Sequence, residues 1–381
     1  MRCKVVGYSV PQVLTSNGIG FNILATILFL LCRAIYLHLF MQMSKKFLDK
    51  QRLKGDDTAD RLIAVTFSTG NQAILYELLK LDEKEIEKQS TSAIKKFLIS
   101  QKVKPTWFNL RRLENGQRLF KQYALEMMAL LGAMSLPYCY AASPGNKALY
   151  LSDKMRKAPG KRLMDTASFV IAVLTPGTLK VGGTGHIQIN NVRLIHALSR
   201  YFLRKQTTWN LAWGVPINQE DMAGTNLAFS YVILLGMQQS GFILSQREKE
   251  DFLFAWRYIG YQMSIDEELL PASFLEARQL AATIKTRNFK KTEEGIILTE
   301  ELLSYYKTSV PTSQAELVPS QIRFYLGDEV AEFIGLTSDP IRDRIASSIS
   351  TIKSLQNMLS VPPDSYQKLL FQHSLLKKKI A

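Results

Sequence analysis

A histidine flanked by two arginines along one helical stripe is the first group in this sequence with evident chemistry. In NVRLIHALSRYFLR, Arg193 lies three residues before His196 and Arg200 four after, so all three project along one side of a helix. A neutral imidazole can ligate a metal, and flanking guanidinium groups can hold carboxylates in bidentate fashion. Haem has both needs: an iron wanting an axial ligand and two propionates wanting cations. Upstream, in KRLMDTASFVIAVL, Arg162, Asp165, Thr166 and Phe169 share the face of another helix. Both groups also have plain structural readings. His196 edges an apolar face formed with Val192, Ile195, Ser199 and Phe202, which suits a hydrogen-bonded core histidine. Arg162 and Asp165 suit an i, i+3 ion pair near a helix start.

Positioning these residues requires two helices and a connection between them. Pro176-Gly177 and Gly182-Gly183 mark turns, so Lys180 to Asn190 reads as a loop with His186 as a solvated loop histidine. From Ser44 onward the chain reads as helices. Asp56 to Tyr76 breaks at Gly70, and the KLDEKEIEKQ run is a solvated face. Leu113 to Met134 reads as one buried helix ended by Pro137 and Ser143-Pro144-Gly145. Asn218 with Asp221 reads as an N-cap opening an apolar helix that reaches Ser240-Gly241. Ser245 with Glu248 makes a capping box for Gln246 to Met263. The acids Asp266, Glu267 and Glu268 answer a helix dipole. Amphipathic helices follow at Phe274–Thr286, Thr292–Lys307, Asp339–Leu359 and Asp364–Lys379, and the tail from Leu375 frays. Ser309 to Pro319 is the best linker. No strand alternation of convincing length and no internal repeat occurs.

Composition narrows the chemistry. The 381 residues, 46% hydrophobic and 21% charged, fit a globular chain with a real core. The three cysteines form no CxxC pair, which argues against a disulfide framework or a zinc ribbon. Only four histidines occur and none belongs to HExxH, so one histidine with one cofactor is the economical arrangement. The net charge of +15 is spread along the chain without a nucleic-acid motif, so no nucleic-acid partner is expected. Attraction to anionic lipid is the second reading of that charge.

Residues 1–43 form a hydrophobic N-terminal segment, and residues 44–381 form the helical main domain. Phe21 to Met43 is long enough to span a bilayer. Lys45, Lys46, Lys50, Arg52 and Lys54 follow it, which by the positive-inside tendency leaves the main domain cytoplasmic. Arg33 and His38 weaken a span, and a buried helix or an upstream extension are the other readings. Without an anchor the protein is expected to be cytoplasmic.

RLMDT, thirty residues before the histidine of VRLIHALSR, followed by WGVPINQEDMAGTNLAFS, resembles the haem-dependent rubber oxygenase (latex clearing protein) family. That family includes the endoplasmic-reticulum-bound oxygenases of mycophenolic acid biosynthesis. The resemblance covers roughly Ser44 to the late 330s. It implies an all-α fold, a single large helical domain with a globin-like core around a b-type haem. It further implies His196 as proximal iron ligand and Arg162 and Thr166 on the distal side. Arg193 and Arg200, with Arg323 in QIRFYLGDEVAEFIG, would support the haem. The partners it implies are molecular oxygen and a hydrophobic, unsaturated or isoprenoid-like small molecule or lipid. Two departures stand out. A lysine of the family's distal side is replaced by Asp165, and its distal glutamate falls near Asn146. An ionised Asp165 beside reduced oxygen would be repulsive, so it must pair with Arg162, be protonated or point away. Besides an oxygenase, the sequence leaves open a haem or gas-binding protein without turnover, and a membrane-associated helical scaffold.

Overall fold

The structure is a computed structural model, and it describes residues 45–72, 75, 92–151, 159–309, 315–359 and 364–380. The chain divides into two units, Met1–Phe47 and Leu48–Ala381. In the first, only residues 45–47 are described, and they are helical. The apolar stretch from Phe21 to Met43, the KLDEKEIEKQ run and part of the Ser309–Pro319 linker lie outside the described residues. Among the described residues no helix is long and apolar enough to cross a membrane.

The second unit is built from helices whose ends are set by side-chain caps. Helix α1 (Asp57–Ser68) starts where the Asp56 carboxylate accepts from the Ala59 amide, and it ends before Gly70 at φ +69°. Helix α2 (Leu110–Gln122) is capped by Asn109. The next helical run passes from Ala124–Leu130 through a wide π turn, Leu131–Ser135, into α3 (Leu136–Tyr140). The single buried helix expected from Leu113 to Met134 is therefore interrupted at Tyr123, and Pro137 does not end it. Pro137 sits in the first turn of α3, where its missing N–H has little consequence, directly after the π turn has loosened the ladder.

Helix α4 (Gly145–Leu151) leads toward α5 (Pro159–Leu174), and α6 (Thr184–Leu203) packs against α5. The connection between α5 and α6 is shorter than the sequence suggests. Gly183 forms the N-cap of α6, and a Cβ there would sit 2.3 Å from the Thr178 carbonyl oxygen. His186 is consequently a buried residue in the first turn of α6, not a solvated loop histidine. Its Nδ1 accepts from the Gly182 amide at 3.4 Å.

Helix α7 (Gln219–Phe229) has the expected Asn218 cap, accepting from the Asp221 amide at 2.9 Å. The apolar run stops at Ser230 and resumes as Tyr231–Gln239, so the single helix expected there is two. Ser230 Oγ bonds back to the Asn226 carbonyl, and such back-bonding bends helices, while Ser135 Oγ donates to the Ala228 carbonyl from a neighbouring segment. Helix α8 (Gln246–Gln262) carries the expected Ser245/Glu248 capping box. It crosses α2 closely, because at Gly116 a Cβ would lie 2.3 Å from the Asp251 carbonyl oxygen. The acids at 266–268 sit on a short 3-10 turn rather than a helix dipole: Asp266 pairs with Lys54 at 2.9 Å, and Glu267 accepts from Trp107 Nε1. Helices α9 (Phe274–Asn288), α10 (Glu293–Ser309) and α11 (Ser365–Ile380) follow. The tail does not fray at Leu375, because α11 continues to Ile380 and docks on α5 through His373–Ser168 and Tyr366–Thr175 contacts.

The all-α expectation is met: among the described residues the only β pairing is an isolated bridge between Ala142 and Phe289. One part of the core joins α1 to α6 through Leu62, Ile63, Leu194 and Ala197, which are almost fully buried. A second gathers Tyr140 with Leu298, Leu302 and Ile322.

Candidate functional site

The α5 and α6 faces read from the sequence meet across one cavity. Arg162, Asp165, Thr166 and Phe169 of α5 line it, as do Val192, Ile195, His196 and Ser199 of α6. The cavity has a volume of about 340 Å³, within the ~300–1,000 Å³ common for small-molecule sites. Away from these helices its walls are largely apolar, with Trp256, Ile259, Met263 and Ile284 prominent.

His196 is half-buried in this wall, and it is the only histidine there among the described residues. Burial and then the charges of Arg200 and Arg162 push its pKa down to about 3. The imidazole is therefore neutral at physiological pH, the form in which one ring nitrogen has a free lone pair for a metal. Its Nδ1 is buried with no hydrogen-bond partner among the described residues.

Neither of the two flanking arginines is a wall residue. Arg193 Nε and Nη2 clamp the Asp56 carboxylate at 2.8 and 3.1 Å, and Nη2 also donates to Thr58 Oγ1 at 2.9 Å. Its guanidinium lies 4.9 Å from the Phe97 ring centre. Both partners of this ion pair are 2% exposed. Burial raises the Asp56 carboxyl, but the Arg193 guanidinium outweighs it and holds the group below the ordinary carboxylate value. The carboxylate that Arg193 was expected to find on a cofactor is thus supplied by the chain itself. Arg200 is different. Its Nε donates to Asp60 at 2.6 Å and its Nη1 to the carbonyl of Ile217, a wall residue, at 3.1 Å. Its Nη2 is buried with no partner among the described residues. A guanidinium with one arm fixed by Asp60 and another unsatisfied suits an additional carboxylate.

Arg323 is not brought to His196. It pairs with Asp328 and with Asp343 at 3.3 Å and donates to the Leu336 carbonyl at 2.9 Å, outside the cavity wall. Asn146, near the place of the family's glutamate, also turns away: it is fully buried and donates to the Tyr140 carbonyl and to Thr292 Oγ1, both at 2.8 Å. Thr166 Oγ1 donates to the Arg162 carbonyl at 3.0 Å, so its hydroxyl oxygen remains an acceptor. Asp165 lies on an exposed part of the wall. Burial lowers the Arg162 pKa, and Tyr140 and Asp165 act against that shift.

Sequence reasoning missed Asp56, the N-cap of α1, and Asp60 one turn further on, which pair with Arg193 and Arg200, two turns apart on α6. It also missed an acidic stretch of wall. Glu220, fully buried, accepts from Arg52 and Arg287 at 2.9 Å and from Asn288 at 3.1 Å. Asp221 beside it accepts from Arg52 at 3.1 Å, yet burial pushes its carboxyl up to about 6. The only signal available was a Gln-Glu-Asp run at a helix start, which reads as capping.

The donor set fits a haem: one neutral imidazole in the wall, an unsatisfied guanidinium arm behind that wall, and a large apolar space. A family described as "ER-bound oxygenase mpaB/B'/Rubber oxygenase, catalytic domain" matches residues 120–353. A curated protein named rubber oxygenase, from Streptomyces sp. (strain K30), is 24% identical over 304 residues, spanning 77% of this chain and 73% of its own. The solved structure of latex clearing protein LCP in the closed state superposes with a TM-score of 0.71 at 22% identity. It covers 87% of this chain and 91% of that one.

Proposed function

We propose, from the premise that this chain belongs to the family of ER-bound mpaB/B' and rubber oxygenase catalytic domains, that it is an oxygenase using b-type haem on a hydrophobic, unsaturated or isoprenoid-like substrate. That it is an oxygenase follows from the family, and a hydrophobic substrate agrees with the family's naming. The haem and the residue roles are our reading. The observation that carries them is the neutral His196, the one histidine among the described residues in the wall of a largely apolar cavity that also holds Arg162.

In this reading His196 holds the iron and Arg200 pairs with a haem carboxylate through its unsatisfied Nη2. When bound, the haem supplies an iron centre for binding and activating dioxygen. Arg162 places a fixed positive charge in the cavity, where a preorganised donor stabilises charge developing on oxygen. Thr166, its proton committed to the Arg162 carbonyl, offers an acceptor that orders polar groups nearby. Asp165 stays solvated at the cavity's exposed part and can exchange protons with water. The apolar walls around Trp256, Met263 and Ile284 take the hydrophobic substrate and exclude water from it. Arg193 acts through structure, tying α6 to α1. We assign no cofactor role to Arg323. Residues 1–43 are proposed as a membrane anchor with the main domain cytoplasmic, a matter for fractionation of the full chain.

The test is the absorbance spectrum of the purified protein and of His196→Ala. The wild type is expected to show a Soret band that the variant loses while keeping its far-UV circular dichroism. A full-intensity Soret band in the variant would refute the ligand assignment.

A further inference from the structure

Charge that develops on oxygen in a dry cavity is best met by a preorganised hydrogen-bond donor. Most polar residues around Arg162 cannot donate. The Thr166 hydroxyl proton goes to the Arg162 carbonyl, and Asp165 is a solvated acceptor. Asn146 is turned away, with its amide on the Tyr140 carbonyl and Thr292. Two buried wall donors without a partner among the described residues are left over, Trp256 Nε1 and the Tyr140 hydroxyl, and of the two only Tyr140 acts electrostatically on Arg162. Tyr140 belongs to the cavity wall, is 1% exposed, and its hydroxyl has no hydrogen-bond partner among the described residues.

A buried phenol without an acceptor is destabilising, and native structures seldom keep one without a use. Tyr140 is also held firmly. Asn146 Nδ2 fixes its carbonyl at 2.8 Å, and Gly295 lets α10 approach so closely that a Cβ there would lie 2.6 Å from the same oxygen. Tyr140 and Arg162 line the same cavity and are electrostatic neighbours. Burial pushes the phenol far above its ordinary pKa, so it keeps its proton throughout the physiological range.

We propose that the Tyr140 hydroxyl donates a hydrogen bond to dioxygen, or to its reduced form, held beside Arg162, which makes Tyr140 a further catalytic residue of the oxygenase. This rests on the haem reading above. Tyr140→Phe is the direct test, because it removes one oxygen atom and no packing volume. Since that oxygen is unsatisfied, the variant should fold at least as stably as the wild type and carry the same haem per chain. The measurements are made on the reduced, haem-loaded protein with carbon monoxide and with dioxygen. In the variant the carbon monoxide stretching band should move to higher wavenumber, because a donor to the bound gas is gone. Dioxygen should dissociate about tenfold faster, the loss of one hydrogen bond of ~1.4 kcal/mol. If the wild type binds both gases and Tyr140→Phe matches it in band position and dissociation rate, the role of Tyr140 is overturned while the haem reading stands. If the wild type binds neither gas, the haem reading fails and this proposal falls with it.

Discussion

Neutralising Asp56 tests whether Arg193 serves the fold or the cofactor. The Asp56–Arg193 pair is bidentate, with both side chains 2% exposed. Breaking such a pair from one side costs ~3–5 kcal/mol, because a buried charge is left alone. Asp56 is also the N-cap of α1, and loss of a cap costs ~1 kcal/mol. Asp56→Ala should therefore cost ~4–6 kcal/mol, much of a typical stability of ~5–15 kcal/mol. Arg193→Met should cost less. The remaining Asp56 can take up a proton and still bond Thr58 and the Ala59 amide, whereas a lone arginine cannot shed its charge. In the cycle of Asp56→Asn, Arg193→Met and their double variant, at least ~2 kcal/mol of the summed losses of those two single variants should be recovered, since neither charge is then stranded. Urea unfolding followed by circular dichroism measures all of these, with haem per chain measured in parallel. Additivity within ~0.5 kcal/mol would refute the ion-pair argument. Haem lost from Arg193→Met but kept by Asp56→Asn would return Arg193 to the cofactor. The pair also has a pH signature. The Asp56 carboxyl is lowered in the folded state, so its contribution is complete above the unfolded value of ~3.9 and is lost as pH falls below it. The wild type should lose stability below about pH 4 more steeply than Asp56→Asn.

Arg162→Ala should keep near-normal haem but hold dioxygen poorly, losing ~3 kcal/mol of charge stabilisation, whereas Arg200→Ala should purify depleted of haem. Haem per chain and the lifetime of the oxygenated reduced form separate them, and equal behaviour would sink the division of roles. Gly116→Ala should destabilise by ~1–3 kcal/mol despite the better helix propensity of alanine, because the new Cβ meets the Asp251 carbonyl. An unchanged urea midpoint would show that the α2–α8 crossing can relax.

Much of this arrangement can be read from spacing alone, where the interaction is local. Arg162, Thr166 and Phe169 do face one cavity with His196, because three- and four-residue spacing fixes which side chains share a helical face. The Asn218 and Ser245 caps were legible for the same reason, since donor and acceptor lie within four residues. The partners of Arg193 and Arg200 were not. Asp56 and Asp60 stand 137 and 140 residues away, and no periodicity links positions so distant. His186 looked like a loop residue because Pro176-Gly177 and Gly182-Gly183 precede it, yet Gly183 caps a helix instead of prolonging the turn. Pro137 looked like a stop because a π turn carries no sequence signature of its own. Asn146 could be placed near the site by resemblance, but only the structure shows its amide serving Tyr140.

The tie between α1 and α6 has a consequence for how the domain can be cut. The family match spans residues 120–353, so it begins downstream of Asp56 and Asp60. A fragment trimmed to that boundary would keep Arg193 and Arg200 and lose both acids, along with Leu62 and Ile63, which cover Leu194 and Ala197. Two guanidinium groups would then lie on a stripped helix face directly behind the histidine. Arg52, which reaches Glu220 and Asp221, would be lost as well. The shortest autonomous piece of this protein must therefore start upstream of Arg52, well before the first residue of the family match.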